Sequence, residues 1–515
     1  MVKTRKRKYL GYHVSCLVIG LVNIPLFATN PIKLPPAESD VVEVKSDLTT
    51  SPDTIFKDPN VISPADSPVY KLKEDSLPDG YGFMIFSSTP LPDDKNWWHG
   101  FDDPILSRLE TLGVRNNYNI KAMLKRIEAA RQMLRQIKSG YYPTLSLSIG
   151  YNANRDSGRE SVPYATAQPA TFFTAGATMS WEIDIFGRIA EKAKAENANI
   201  DVTRLEYEGM LLSLSAEIAS NYSAFRMYEQ QLSVAMSHLK SQEDILNIAE
   251  ARYKAGLVSK LDVAQAKNMV STTRLLIPKY RALLTSARNA LATLCGVNSV
   301  EIDKMVGQGD MPHLMSPLQV GVPADLIRRR PDVAEAEAQI ENIAAKLGVS
   351  KKQYLPSLTI DATIASTAHE AKYFFGDHSL TFSVTPTLNW TLFDGFSREA
   401  AVAQIRAEME SQIETYNYTL TTAVQEVEDA MQLYIAAGRE LTLYADVLEN
   451  SNEVVSLSLE RYRHGLTDFT DVANAQISYL QNHTNYQSAR ANLFNCIVNL
   501  YKALGGGYND LNINK

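Results

Sequence analysis

Two short motifs, Tyr253-x-x-Gly256 and Tyr462-x-x-Gly465, are each followed six residues after the glycine by an aspartate, Asp262 and Asp471. Glycine supplies the left-handed backbone that ends a helix, and an acid in the first turns of the next helix meets that helix's positive end. Taken singly, each aspartate is a capping group. Several copies brought together by assembly would instead set these carboxylates, with Asp468 and Asn474 close by, into a ring that favours cations, repels itself and takes part in a gate. No other chemistry is encoded with comparable spacing. The eight histidines and three cysteines show no ligand pattern, and His369-Glu370 lacks the partner of a zinc-protease motif. Neither a phosphate-binding glycine loop nor a nucleophile elbow is present, so no catalytic residue, metal or cofactor is expected.

Composition narrows the setting. Of 515 residues, 45% are hydrophobic and 21% charged, which fits neither a disordered chain nor a polytopic helical membrane protein. With 51 basic against 58 acidic side chains the net charge is -7, and no basic excess exists to neutralise phosphates, so nucleic acid is excluded as a partner. Residues 1–28 read as an export signal: Lys3, Arg5, Lys6, Arg7 and Lys8 precede an apolar stretch over 14–27, and Ala28 is a small residue at the cleavage edge. A membrane anchor is the alternative, but Asn23 and Pro25 interrupt a stretch already shorter than the ~20 residues that span a bilayer. Residues 29–94, holding ten of the 22 prolines, favour extended chain. Cys295 and Cys496 allow at most one disulfide, so packing must hold the fold.

The chain is duplicated. Tyr141 and Pro143 recur as Tyr354 and Pro356, 213 residues on. From there the offset is 209: Trp181 matches Trp390, Tyr253 matches Tyr462, Gly256 matches Gly465, Asp262 matches Asp471 and Gly296 matches Gly505. A fixed offset marks an internal repeat, and its constancy beyond each tryptophan is what a rigid rod requires. The first repeat covers 95–300, with a β-hairpin over 144–186 and a helical tip near 256. A linker over 301–330 leads to the second repeat over 331–507, with a hairpin over 357–393 and a tip near 465; a tail follows over 508–515.

Period-two alternation marks the strands. Leu145, Leu147, Ile149 and Tyr151 alternate with Ser146, Ser148, Gly150 and Asn152, and runs over 173–185, 358–364 and 380–392 repeat the pattern. A soluble half-buried sheet gives the same alternation. The aromatics favour lipid: Tyr141, Tyr142 and Tyr354 open the first strand of each pair, and Trp181, Phe186, Trp390 and Phe393 close the second. Phe172, Phe173, Tyr373, Phe374 and Phe375 gather at the opposite ends, completing two girdles. Four strands are too few to close a barrel, for which roughly eight is the minimum, so assembly is obligatory in lipid. The proline-free runs from Gly187 to Gly256 and from Arg398 to Gly465 are each about 65 residues, a helix of roughly 100 Å. Ile245, Leu246, Ile248 and Ala249 imply packing as a coiled coil.

At these residues the chain resembles the TolC-type outer membrane factors, in particular outer membrane efflux proteins of the NodT and OprM kind. The signatures are Trp-x-x-Phe-x-Asp-Pro beginning at Trp98, Trp-Glu-x-Asp-x-Phe-Gly at Trp181, Arg-Arg-Pro-Asp at Arg329, Phe-Asp-Gly at Phe393 and Ala-Leu-Gly-Gly-Gly at Ala503. The resemblance implies a mainly α fold with membrane β: a homotrimer with a 12-stranded transmembrane β-barrel, four strands per subunit, continuous with a long periplasmic α-helical barrel. It implies passive efflux across the outer membrane, with energy from an inner-membrane RND transporter through a periplasmic adaptor. Gly256, Leu257, Gly465 and Leu466 then become the adaptor-contacting tips, and Asp471 an aperture aspartate. Tyr253 and Tyr462 join the aperture set, while Asn474 and Thr467 stand where the family carries the companion of that aspartate and a bracing arginine. The lipidated N-terminal cysteine of this branch is absent from its expected place. The exit duct of a type I protein secretion system is an alternative on the same scaffold, and a secreted coiled-coil tether an alternative of another class. Arg329-Arg330-Pro331-Asp332 reads as a helix start.

Overall fold

A computed structural model describes residues 97–155, 170–312, 330–374, 376 and 378–506. The export signal (1–28), the Pro-rich segment (29–94), most of the 301–330 linker, Arg329, Phe375, Gly507 and the 508–515 tail lie outside the described residues.

A 3-10 turn at Trp97–Phe101 leads into α1 (Pro104–Asn116) and α2 (Tyr118–Ser139), followed by β1 (Thr144–Asn154) and β2 (Ala170–Ile183). The long helix α3 (Arg188–Lys254), α4 (Lys260–Leu294) and short α5 (Ser299–Val306) complete the first repeat. The second has α6 (Pro331–Lys352), β3 (Ser357–Ala368), β4 (Leu380–Asn389), α7 (Ser397–Arg463) and α8 (Phe469–Ala503). Both long helices have 67 residues and both return helices 35, as the constant offset requires. Pro278 sits inside α4 without ending it. Among the described residues no helix is long and apolar enough to cross a membrane.

Each signature motif resolves into a local physical task. Trp97, Trp98 and Phe101 are buried in the main core with Leu211, Ile218, Tyr222, Leu291 and Phe494. Asp103 caps α1, accepting from the amides of Ile105 at 2.7 Å and Leu106 at 3.0 Å, with Pro104 at the first helical position. The indole N–H groups of Trp181 and Trp390 donate to the carbonyls of Tyr141 and Tyr354, each at 3.0 Å, one bond per repeat. Glu182 pairs with Arg188, Asp184 accepts from the amides of Ile189 and Ala190 at 3.0 Å, and Gly187 takes φ +69°. The Trp-Glu-x-Asp-x-Phe-Gly run is therefore the joint that turns a strand into a helix. In the second repeat Asp394 accepts from the Arg398 guanidinium at 2.6 Å. Pro331 begins α6 as expected, and buried Arg330 beside it binds Asp332, Glu426 and the Ala503 carbonyl.

One expectation needs correction. The strands end at Ile183 and Asn389, so Phe186, Trp390 and Phe393 lie beyond them, because the joint takes over the backbone: the Ile185 amide already bonds Ile183 O. Cys295 and Cys496, which allowed at most one disulfide, are both free and buried.

Inside the core, Glu110 is fully buried and neither carboxylate oxygen has a hydrogen-bond partner. Burial pushes its carboxyl well above the usual range, with Ser215 acting in the opposite direction. The unfolded chain ionises at the ordinary carboxylate value and the folded chain does not, so folding stability should fall as pH rises above that value. The slope is about 1.4 kcal/mol per pH unit until the folded group ionises. Glu110→Gln should flatten this slope in denaturation measured across pH; an unchanged slope would place the proton elsewhere.

Candidate functional site: the helical tips and the open sheet

The four strands form one antiparallel sheet in the order β1-β2-β3-β4. Its register sorts the side chains by chemistry. Leu147, Ala177, Ile364 and Phe382 lie in one row across all four strands, and Leu145, Met179, Ala362 and Val384 in another. The rows between hold Ser146, Thr178, Thr363 and Ser383, then Ser148, Gly176, Ala365 and Thr381. Because side chains alternate between faces, one face is apolar and the other is lined mainly by hydroxyls. The apolar face is bare: Leu147 is 74% and Phe382 82% exposed. β1 and β4 each have one unpaired edge within the chain. Tyr141, Tyr142, Tyr354, Trp390, Phe186 and Phe393 are exposed near one end of the sheet, close to Trp181.

At the other extreme of the rods, both long helices end alike. Gly256 and Gly465 take φ +70° and +73°; the Leu257 amide reaches Arg252 O and the Leu466 amide reaches Arg461 O, each at 2.9 Å. Glycine is needed because a side chain strains this left-handed turn. The turn projects Leu257 and Leu466 outward, each 68% exposed.

The return helices begin differently in the two repeats. Ser259 caps α4 and its hydroxyl also donates to the Asp262 carboxylate at 2.7 Å. Asp468 holds the same position before α8 but makes no side-chain cap bond; there the Thr467 hydroxyl donates to Asp471. Asp262 and Asp471 thus occupy the first turns of their helices, as the capping argument expects. Asp471 also lines a cleft of about 600 Å³ together with Thr467, Asn474, Arg461 and Ser478.

The tyrosines part company. Tyr462 is buried, edge-on to Phe469 at 5.4 Å, in a cluster with Ile245, Ala249, Met269 and Val472. Tyr253, its match, is 45% exposed. Burial and the nearby Asp262 carboxylate push the Tyr462 phenol up, with Arg252 opposing.

The residue that organises this tip is one the sequence reading passed over. Arg252 donates to the carbonyls of Tyr462 at 2.5 Å and Arg463 at 3.1 Å, and its guanidinium lies over the Tyr462 ring at 4.9 Å. It fastens the tip of one repeat to the last turn of the other's long helix, where the carbonyls carry negative partial charge. Gln265 adds a second bridge to Thr470 at 3.2 Å. A signal was available: Arg252 and Arg461 match at the 209-residue offset, each just before its tyrosine.

The model of the outer membrane efflux protein family matches residues 114–297 and 322–506, one stretch in each repeat. The probable efflux pump outer membrane protein SepC of Pseudomonas putida is 27% identical over 416 residues, 81% of this chain and 86% of the relative. Nodulation protein T of Rhizobium leguminosarum bv. trifolii is 24% identical over 414 residues, 80% of this chain and 88% of its own. The solved outer-membrane channel OprN superposes with a TM-score of 0.75 at 24% identity, covering 85% of this chain and 98% of that one. With its strand-to-helix joints, its paired rods and both repeats matched, the chain belongs to the outer membrane efflux protein family.

Proposed function

We propose that three copies of this chain close a 12-stranded barrel in the outer membrane and continue it as a helical tunnel through the periplasm. The tunnel is a passive exit duct for small toxic compounds, driven by an inner-membrane RND transporter through a periplasmic adaptor. One observation carries this reading: a four-stranded sheet with an apolar outer face, a hydroxyl-lined inner face and two unpaired edges. In lipid those edges leave backbone groups unsatisfied at several kcal/mol each. An even number of strands lets β4 of one copy meet β1 of the next antiparallel, so a ring closes without a break. The SepC relative is named for an efflux pump, which favours efflux over protein secretion, and membership of an outer membrane family argues against a secreted tether.

Leu257 and Leu466, held outward by Gly256 and Gly465, are the surfaces offered to the adaptor. Asp471, braced by Thr467 and flanked by Asp468 and Asn474, is the carboxylate placed to narrow the periplasmic mouth, with Asp262 behind it. The protein should fractionate with outer membrane and migrate as a trimer that heating dissociates. A deletion strain should become more drug-susceptible. In planar bilayers Asp471→Ala should conduct several-fold more than the native channel; unchanged conductance removes Asp471 from the gate, and a monodisperse water-soluble monomer overturns the whole reading.

A further inference from the structure

The Arg252 clamp joins two parts of one chain, and the duplication supplies the parts for a second clamp that the single chain leaves unused. Arg461 stands where Arg252 stands, and Tyr253 and Lys254 stand where Tyr462 and Arg463 stand. Arg461 is exposed on the wall of the Asp471 cleft, and its guanidinium has no hydrogen bond or ion pair among the described residues. Tyr253 is 45% exposed, whereas Tyr462, under its clamp, is 2% exposed. The last-turn carbonyls of α3 have the same Schellman geometry as those of α7, so they present the same negative helix end to a cation. In a closed ring of duplicated chains each repeat meets the other twice, once inside the chain and once across a subunit boundary.

We propose that Arg461 of one subunit closes over Tyr253 of the next, donating to the Tyr253 and Lys254 carbonyls as Arg252 does to those of Tyr462 and Arg463. The partner surface is a second copy of this chain, and the inference rests on the ring of copies proposed above. It also gives Asp471 a defined neighbour. Asp262 lies near the Tyr462 hydroxyl, so its match Asp471 comes to the hydroxyl of the adjacent Tyr253. The two boundaries are not equal, however. The Gln265 to Thr470 bridge maps onto Asn474 and Leu261, which form no such bond, so the boundary between subunits is the weaker seam and parts first.

The test uses the full chain in outer membrane, with Tyr253→Cys and Arg461→Cys together and a short bis-methanethiosulfonate reagent. Covalent dimers and trimers on denaturing gels, dependent on both cysteines, are expected. The pair Arg252→Cys with Tyr462→Cys should link within one chain and add no mass, which reports that the tips are folded. Intact native trimers with a positive intrachain control and no linked chains overturn the clamp; absence of native trimers overturns the ring itself. In bilayers Arg461→Glu should raise conductance several-fold and Arg461→Lys by less, since an ammonium keeps the charge but not the planar fork, and equal conductance in both variants also overturns the clamp.

Discussion

Replacing Arg252 with alanine is expected to shift the closed-to-open equilibrium of the channel by roughly thirtyfold toward open. The side chain makes two charge-assisted bonds to carbonyls and stacks on the Tyr462 ring. Charged hydrogen bonds contribute about 1.5–3 kcal/mol each when buried, and a cation over an exposed ring about 0.5–1. Arg252 is half-buried, so solvent screening lowers the sum to about 2 kcal/mol, which corresponds to that population ratio. Single-channel open probability measures it directly. Arg252→Lys should recover only part of the effect, since an ammonium lacks the planar fork that serves two carbonyls and a ring at once. An open probability within twofold of native in Arg252→Ala would remove the clamp from gating.

The largest effect on folding is expected at Arg226. Its side chain is 1% exposed; it donates to the Tyr222 hydroxyl, to Glu229 at 2.7 Å and to the carbonyls of Val306 and Gly307 at 2.9 and 3.0 Å. The Tyr222 hydroxyl in turn donates to Asp103 at 2.8 Å, the residue that caps α1. One guanidinium thereby ties α3 to the start of α1 and to the end of α5. Arg226→Met keeps the volume but strands the Val306 carbonyl and the Glu229 carboxylate, a loss of about 3–5 kcal/mol for a broken buried network. The midpoint of chemical denaturation of the detergent-solubilised protein should fall accordingly. A change below about 1 kcal/mol, the scale of an ordinary surface substitution, would show that water replaces the network.

Much of this molecule is legible in its residues, and the exceptions share a cause. Constant spacing from Trp181 and Trp390 to Gly296 and Gly505 set equal rods, and both rods are 67 residues. Alternation located four strands and their two chemistries, because a period of two maps directly onto two faces. The strand ends were less legible. Alternation continues in composition to Ile185 and Leu392, while Asp184 and Asp394 have already been recruited to begin a helix. Least legible was the difference between Tyr253 and Tyr462, since identical motifs carry no record of which neighbour covers them. Only the packing of the Arg252 tip against α7 and α8 makes one tyrosine core and leaves the other exposed. The burial of Glu110 was invisible too, for a glutamate on an amphipathic helix reads as solvated until the opposing face is known.

The unpaired margins of the sheet carry a genetic corollary. Since every finished duct draws on several polypeptides, a chain able to enter the complex but not to complete it spoils its companions. Co-expressed with native protein at equal dose, such a variant would leave roughly one particle in eight free of defective copies under random mixing of threes. Partial loss of this gene product would then be milder than the presence of a poisoned allele.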